Sequence, residues 1–174
     1  MATPFNLETS RLQLRWLSLD DAAFIYRLVN DEQWLRFIGD KQVRDLDAAR
    51  DFIDSGPRAM YRQHGFGLNL VTLKDGETAI GICGLLQRDS LATPDLGFAF
   101  LPGYRGQGYA REAAEVVLQH GFSSLEQTRI VAIVSSGNQA SISLLEKLGF
   151  YLEGNIQMEP NGRPVDLYSI HAQS

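Results

Sequence analysis

The sequence predicts an α+β (mixed α/β) fold, a predominantly antiparallel sheet with helices packed on it. Three observations carry this. Strand-like apolar runs come in a block, "RLQLRWLS", "GFGLNLVTL", "TAIGICGLLQ" and "DLGFAF". An Asp75-Gly76 pair separates two of them, a strong hairpin signal. After Gly108 the apolar period becomes that of a helix, and helical and strand-like runs then alternate.

Leu12, Leu14 and Trp16 alternate with Arg11, Gln13 and Arg15, which reads as a first strand. Ser18 reads as an N-cap, with Asp21 three positions on, before a helical stripe of Ala22, Ile25, Tyr26 and Val29. Leu46, Ala49, Phe52 and Ile53 predict a second helix, which Gly56-Pro57 stops. The segment between, "NDEQWLRFIGDKQVR", has no clean period. The Asp75-Gly76 turn is expected as a tight turn with positive φ at both central residues.

Beyond Gly108, residues Ala110, Ala113, Ala114, Val117, Leu118 and Gly121 share one helical face, and their small side chains let the helix lie close to a sheet. "RIVAIV" is a continuous apolar strand of the kind covered on both faces. In "NQASISLLEKLGF" a helix turns Ile142, Leu145 and Leu148 inward, and Gly149 takes the left-handed C-terminal position. "YLEGNIQM" and "PVDLYSIH", either side of Pro160-Asn161-Gly162, close the chain as paired strands. No repeat or linker divides residues 1–174, so a single domain is expected.

Composition narrows the function. The net charge of −5 is spread along the chain, which gives no sign of direct nucleic-acid binding. No apolar run is long enough to cross a bilayer and "MATPFNLETSRLQ" lacks the pattern of a secretory signal, so no membrane partner and a cytoplasmic location are expected. Cys83, the sole cysteine, excludes an internal disulfide and reads as a buried small hydrophobe. His64, His120 and His171 form no metal-ligating spacing, so no bound metal is expected.

The most informative stretch is "LPGYRGQGYA". Gly103, Gly106 and Gly108 crowd just before a helix, where bare backbone N–H groups and the helix's first turn can converge on an anion. The spacing is neither that of a P-loop nor that of a dinucleotide fingerprint. A tight turn where a strand meets a helix is the alternative reading.

Arg105-x-x-Gly108-x-Ala110 after a strand and before a helix, followed by Asn138-x-x-Ser141 and "LLEKLGF", resembles the GNAT N-acetyltransferase superfamily over nearly the whole chain. "RLQLRWLSLDDA" and "LLEKLGF" are similar to its RimJ/RimL branch. The resemblance implies a sheet of about seven strands flanked by about four helices, with the fourth and fifth strands splayed. It also implies acetyl-CoA as cofactor, coenzyme A as product, and direct acetyl transfer in a ternary complex. The acceptor would be a primary amine on a small molecule or a protein N-terminus. A catalytically weak or inactive acyl-CoA-binding regulatory module is the alternative, and monomer and homodimer both stay open.

The same resemblance assigns roles by position. Pantetheine would pair with backbone near Phe98, Phe100 and Leu101, and the N–H of Phe100 or Leu101 would face the developing oxyanion. The diphosphate would lie on the N–H groups of Gln107, Gly108, Tyr109 and Ala110, with Arg105 and Gly106 at its rim. Asn138 would cap its helix or reach the pantetheine. Leu145 stands where many relatives carry a general-acid Tyr, so Ser141 is the candidate donor to the sulfur, with Tyr109 or Tyr151 as substitutes. Asp95 would take the acceptor's proton, attract the cationic amine, or serve structure alone. Trp34, Arg36, Phe37 and Arg44 would line the acceptor mouth, or the aromatics would anchor their loop.

Overall fold

In β-strands successive side chains point to opposite faces, and here both faces of the sheet are covered. The computed structural model describes residues 5–173. Its strands are β1 (Asn6–Glu8), β2 (Leu12–Trp16), β3 (Leu68–Leu73), β4 (Ala79–Leu86), β5 (Asp95–Phe100), β6 (Arg129–Val134), β7 (Tyr151–Ile156) and β8 (Val165–His171). They form one sheet in the order β1-β2-β3-β4-β5-β6-β8-β7. Only β5 and β6 run parallel.

The helices are α1 (Ala22–Val29), α2 (Glu32–Phe37), α3 (Leu46–Ile53), α4 (Ala59–His64), α5 (Tyr109–Ser123) and α6 (Gln139–Leu148). One face of the sheet packs Leu14, Val71 and Cys83 against Ala113, Ala114 and Val117 of α5. The opposite face packs Leu70 and Ile82 against Ile25, Leu28, Ala49 and Ile53 of α1 and α3. The small residues of α5 thus bring its axis close to the sheet, as their spacing predicts.

The eight strands and six helices exceed the expected seven and four. The splayed pair is therefore β5 and β6, since β1 adds a strand ahead of "RLQLRWLS". The segment without a clean period contains α2, started by the Asp31 carboxylate accepting from the Gln33 N–H at 3.1 Å.

Gly56-Pro57 does not stop the second helix. The chain widens into a π-turn over Asp54–Arg58 and continues as α4, with Pro57 buried inside the turn. A proline inside a helix removes one backbone donor; the widened turn accommodates this, and Arg58 and Arg62 both reach back to Asp54 to tie it. The Asp75-Gly76 hairpin forms, but positive φ falls at Gly76 and Glu77, not at Asp75. The loop is longer than the tight turn expected, closing with Leu73 N–H on Thr78 C=O and Glu77 N–H on Leu73 C=O.

Candidate active site

β5 and β6 touch at one register pair, Asp95 with Val131, where the Val131 N–H donates to Pro94 C=O at 3.0 Å. Beyond that point the two strands diverge, opening a wedge inside the sheet. On the far edge of β5 the Leu101 N–H donates to Ile80 C=O of β4 at 2.9 Å. Alternation along an antiparallel ladder then turns the N–H and C=O of Phe98 and the N–H of Phe100 toward the wedge. Leu101, expected beside Phe100, instead directs its N–H to β4.

The wedge opens into a cleft of roughly 560 Å³. Phe98 and Ala99 form one wall, Ile133 and Val134 another, and Asp95 sits at the closed end.

Where β5 ends, the chain makes a short 3-10 turn over Pro102–Tyr104 and then the glycine turn. Gly106 has φ +73° and Gly108 +84°, a backbone region that costs other L-residues about 1–2 kcal/mol. A Cβ on Gly106 would meet no protein atom within 4 Å, so backbone conformation and not internal crowding calls for glycine there. The N–H groups of residues 106–111 meet no acceptor among the described residues, Glu112 being the first to bond back, to Gly108 C=O at 3.1 Å. These donors include those of Gln107, Gly108, Tyr109 and Ala110.

Arg105 does not lie along this row of donors. Its Nε donates to Phe100 C=O at 2.9 Å and its Nη2 to Asp31 at 2.5 Å, so it braces the end of β5 against the start of α2. The guanidinium beside the glycine turn belongs to Arg11. It donates to Gln107 C=O at 3.2 Å and lies 4.3 Å over the Tyr109 ring. Glu112 holds it there, accepting from Arg11 Nε at 2.7 Å and from the Arg11 backbone at 3.0 Å. Burial opposes ionisation of Glu112, but hydrogen bonds from Thr9 and Arg11 outweigh it and hold the carboxyl below its usual range.

Asn138 caps α6, its Oδ1 accepting from the Ser141 N–H at 3.3 Å. Ser141 and Leu145 line the cleft, and the Ser141 hydroxyl makes no hydrogen bond among the described residues. Neither candidate tyrosine lies in the cleft wall: Tyr109 faces Arg11, and Tyr151 stacks on His171. Asp95 is 1% exposed, with Arg88 Nε at 3.1 and 3.2 Å from its two oxygens. Burial pushes its pKa up and Arg88 only partly offsets this. Cys83 is buried in the sheet and burial pushes its thiol pKa up, away from nucleophilic use.

On the acceptor side, Trp34 and Phe37 line the cleft with Phe52, Pro57 and Met60. Trp34 packs edge-on against Phe52 at 6.5 Å, and its Nε1 is buried with no partner. Arg36 and Arg44 do not line the cleft. Arg36 lies over the Phe37 ring at 4.9 Å, and Arg44 pairs with Asp40 at 2.5 Å on the surface. The cations in the wall are Lys41, Arg88 and Arg163. Ser135 Oγ donates to Phe37 C=O at 2.9 Å, tying the end of β6 to this side.

The model of the acetyltransferase (GNAT) domain matches residues 11–151. The chain belongs to the GNAT acetyltransferase family. This acetyltransferase is 32% identical over 170 residues to the uncharacterized N-acetyltransferase YoaA of Bacillus subtilis (strain 168), covering 94% of this chain and 95% of that one. Its fold is that of the acetyltransferase from Agrobacterium tumefaciens str. C58, with a TM-score of 0.82 at 23% identity, covering 99% and 97% of the two chains. It is equally like RimL, a ribosomal-protein acetyltransferase solved with coenzyme A, with a TM-score of 0.81 at 19% identity and 96% and 98% covered. Enzymes of this family use acetyl-CoA.

The acetyltransferase's own residues fit such a carrier. An open backbone edge on β5 suits an amide-bearing arm, and unpaired N–H groups at the start of α5 suit a diphosphate. Sequence reasoning missed Arg11 and Glu112, which meet only because the β1–β2 turn packs on the first turn of α5. It also missed Lys41, Arg88 and Arg163. The i,i+7 spacing of Arg88 and Asp95 across a loop carries no periodic signal.

Proposed function

We propose that residues 1–174 act as one domain that transfers acetyl from acetyl-CoA directly to a primary amine held in the same cleft. Acetyl-CoA supplies the activated thioester. The backbone edge of Phe98 and Phe100 aligns the pantetheine arm, and the N–H groups of residues 106–111 hold the diphosphate, with Arg11 adding positive charge beside them. Arg105 keeps that edge in place through Phe100 C=O and Asp31.

An aliphatic ammonium must lose a proton before its nitrogen can attack. Asp95 takes that proton, directly or through one water. Its buried position raises its basicity above that of a surface carboxylate, and Arg88 keeps it ionised often enough to accept. The Phe100 N–H faces the carbonyl oxygen as it gains charge. The Ser141 hydroxyl, free of other partners, orients the sulfur that leaves as the new N–C bond forms and the C–S bond breaks.

The observation that carries this reading is the wedge: parallel strands joined only at Asp95 and Val131, ending in a row of unpaired donors. Calorimetric titration with coenzyme A, followed by a time course of coenzyme A release from acetyl-CoA with a panel of amines and peptides, tests it. Binding with amine-dependent release supports transfer. Binding without release for every amine supports a regulatory module, and absence of binding removes both.

A further inference from the structure

The ladder between β5 and β6 is one register pair, Asp95 with Val131, so it does not set how far apart the two strands end. A chain of side-chain contacts crosses that opening, and it runs through α2. At the N-terminal end of the helix, Asp31 takes two donors: the Gln33 N–H at 3.1 Å, as its cap, and Arg105 Nη2 at 2.5 Å. Arg105 in turn holds Phe100 C=O, the last carbonyl of β5, through Nε at 2.9 Å. That carbonyl lies on the wedge side of β5, because the Leu101 N–H of the same peptide unit is turned to β4. At the C-terminal end of α2, Phe37 C=O accepts from Ser135 Oγ at 2.9 Å, and Ser135 is the residue that follows β6. One short helix thus joins the end of β5 to the end of β6.

Its length suits that position. From Asp31 to Phe37 a helix rises about 9 Å along its axis, and two strands with one extended chain between them stand roughly 10 Å apart. Both contacts are built to hold. The Asp31 and Arg105 side chains are 10% and 29% exposed, so water and salt screen this pair less than one on the open surface. The carbonyls of a helix's last turn have no partner within it, and Ser135 satisfies one of those that α2 leaves open. The same helix carries Trp34 and Phe37 of the cleft wall.

We propose that α2 is a strut across the open end of the wedge and that Asp31 is a positioning residue, acting through Arg105 on the β5 edge that aligns the cofactor. This rests on the reading of the wedge as the cofactor site. A carrier laid along β5 fixes Phe100, Phe100 fixes Arg105, and Arg105 fixes the start of α2, so cofactor binding completes the wall of Trp34 and Phe37 before an acceptor enters. Linkage runs the other way as well: freeing either end of α2 lowers affinity for the cofactor.

Coenzyme A affinity is measured by calorimetry on the full chain as wild type, Asp31→Asn, Ser135→Ala and the double variant. Asparagine caps a helix as well as aspartate does, so Asp31→Asn removes the charge that holds Arg105 and keeps the start of α2. Each single variant weakens coenzyme A about fivefold. A strut released at one end carries nothing at the other, so the double variant is also about fivefold weaker, whereas independent contacts at this separation would multiply to about twenty-five-fold. Hydrogen exchange reads the helix itself. The Leu35, Ile38 and Gly39 amides, bonded to Asp31 and Trp34 carbonyls, are slowed by saturating coenzyme A in the wild type and not in the double variant. Arg50→Gln, which breaks an exposed pair with Asp47 on α3, changes neither measurement.

Losses that multiply in the double variant, or single variants with wild-type affinity, overturn the strut. So does exchange in α2 that coenzyme A leaves unchanged in the wild type. In each of these cases coenzyme A binds and the cofactor reading survives; a wild type that binds none removes that reading and the coupling together.

Discussion

Replacing Gly108 with alanine separates the work of the glycine turn in binding from its work in folding, because Gly149 provides a paired control. Both glycines are left-handed, with φ +84° at Gly108 and +99° at Gly149. At each, a Cβ would lie 3.4 Å from the end of a flexible side chain, Arg11 Nη2 at one and Ile170 Cδ1 at the other. The steric push is therefore small and equal, and the left-handed backbone costs each variant about 1–2 kcal/mol. At this chain length that lowers Tm by roughly 2–8 °C in both. Gly149 ends α6, away from the glycine turn, whereas the Gly108 N–H belongs to the unpaired row at the start of α5 proposed to hold the diphosphate. Alanine keeps the N–H at 108, so the effect on binding comes from the backbone shifting out of its left-handed conformation and from the Cβ pressing on Arg11, and misaligning one charge-assisted hydrogen bond in that row weakens coenzyme A by about tenfold. Calorimetry with coenzyme A on both variants, alongside thermal melts, reads the two effects apart. Equal Tm losses with wild-type coenzyme A affinity in Gly108→Ala would refute the assignment of the donor row to the diphosphate.

Other perturbations address the proton and the helix cap. Asp95→Asn lowers kcat about a hundredfold with coenzyme A affinity unchanged; an unchanged kcat removes Asp95 from proton transfer. Because burial raises the folded pKa of Asp95, its stabilising contribution is full below the unfolded value and is lost as pH rises through the folded one, so at neutral pH Asp95→Asn melts no lower than wild type. Arg88→Gln removes the cation that favours the ionised form, so the acid limb of the kcat/KM profile moves to higher pH, and a limb that stays in place excludes Asp95 as the titrating base. Asn138→Ala costs about 1 kcal/mol as a lost cap, visible in urea denaturation, while Ser141→Ala leaves stability within about 0.5 kcal/mol and lowers kcat. A Ser141→Ala enzyme with wild-type kcat would show that the sulfur needs no donor there.

Local rules were enough for much of the architecture. Leu12 and Leu14 alternate because one strand face is core, with Trp16 continuing the period but exposed at the strand's end, and Ala113, Ala114 and Val117 recur because α5 lies against the sheet, so both elements can be read from period alone. The glycine turn was legible for the same reason, since Gly106 and Gly108 answer to φ at their own positions. What sequence did not reveal depends on contacts between distant segments. Glu112 meets Thr9 and Arg11 across about a hundred residues, and Arg105 was visible as a motif cation while its partner Asp31 was not. Pro57 misled because a proline ends a helix on local rules, whereas here the wider turn is anchored by Arg58 and Arg62 on Asp54. The parallel pairing of β5 with β6, which makes the wedge, follows from α5 crossing over the sheet and leaves no mark on either strand.

The grip of Glu112 on Thr9, Ser10 and Arg11 joins the β1–β2 turn to the place proposed for the diphosphate. Thermodynamic linkage makes this coupling run both ways: a chain whose first two strands have come loose loses Arg11 from beside Gln107, and a chain saturated with nucleotide resists that loosening. On the proposed cofactor site, protease accessibility near the N-terminus is expected to report occupancy some hundred residues away in sequence.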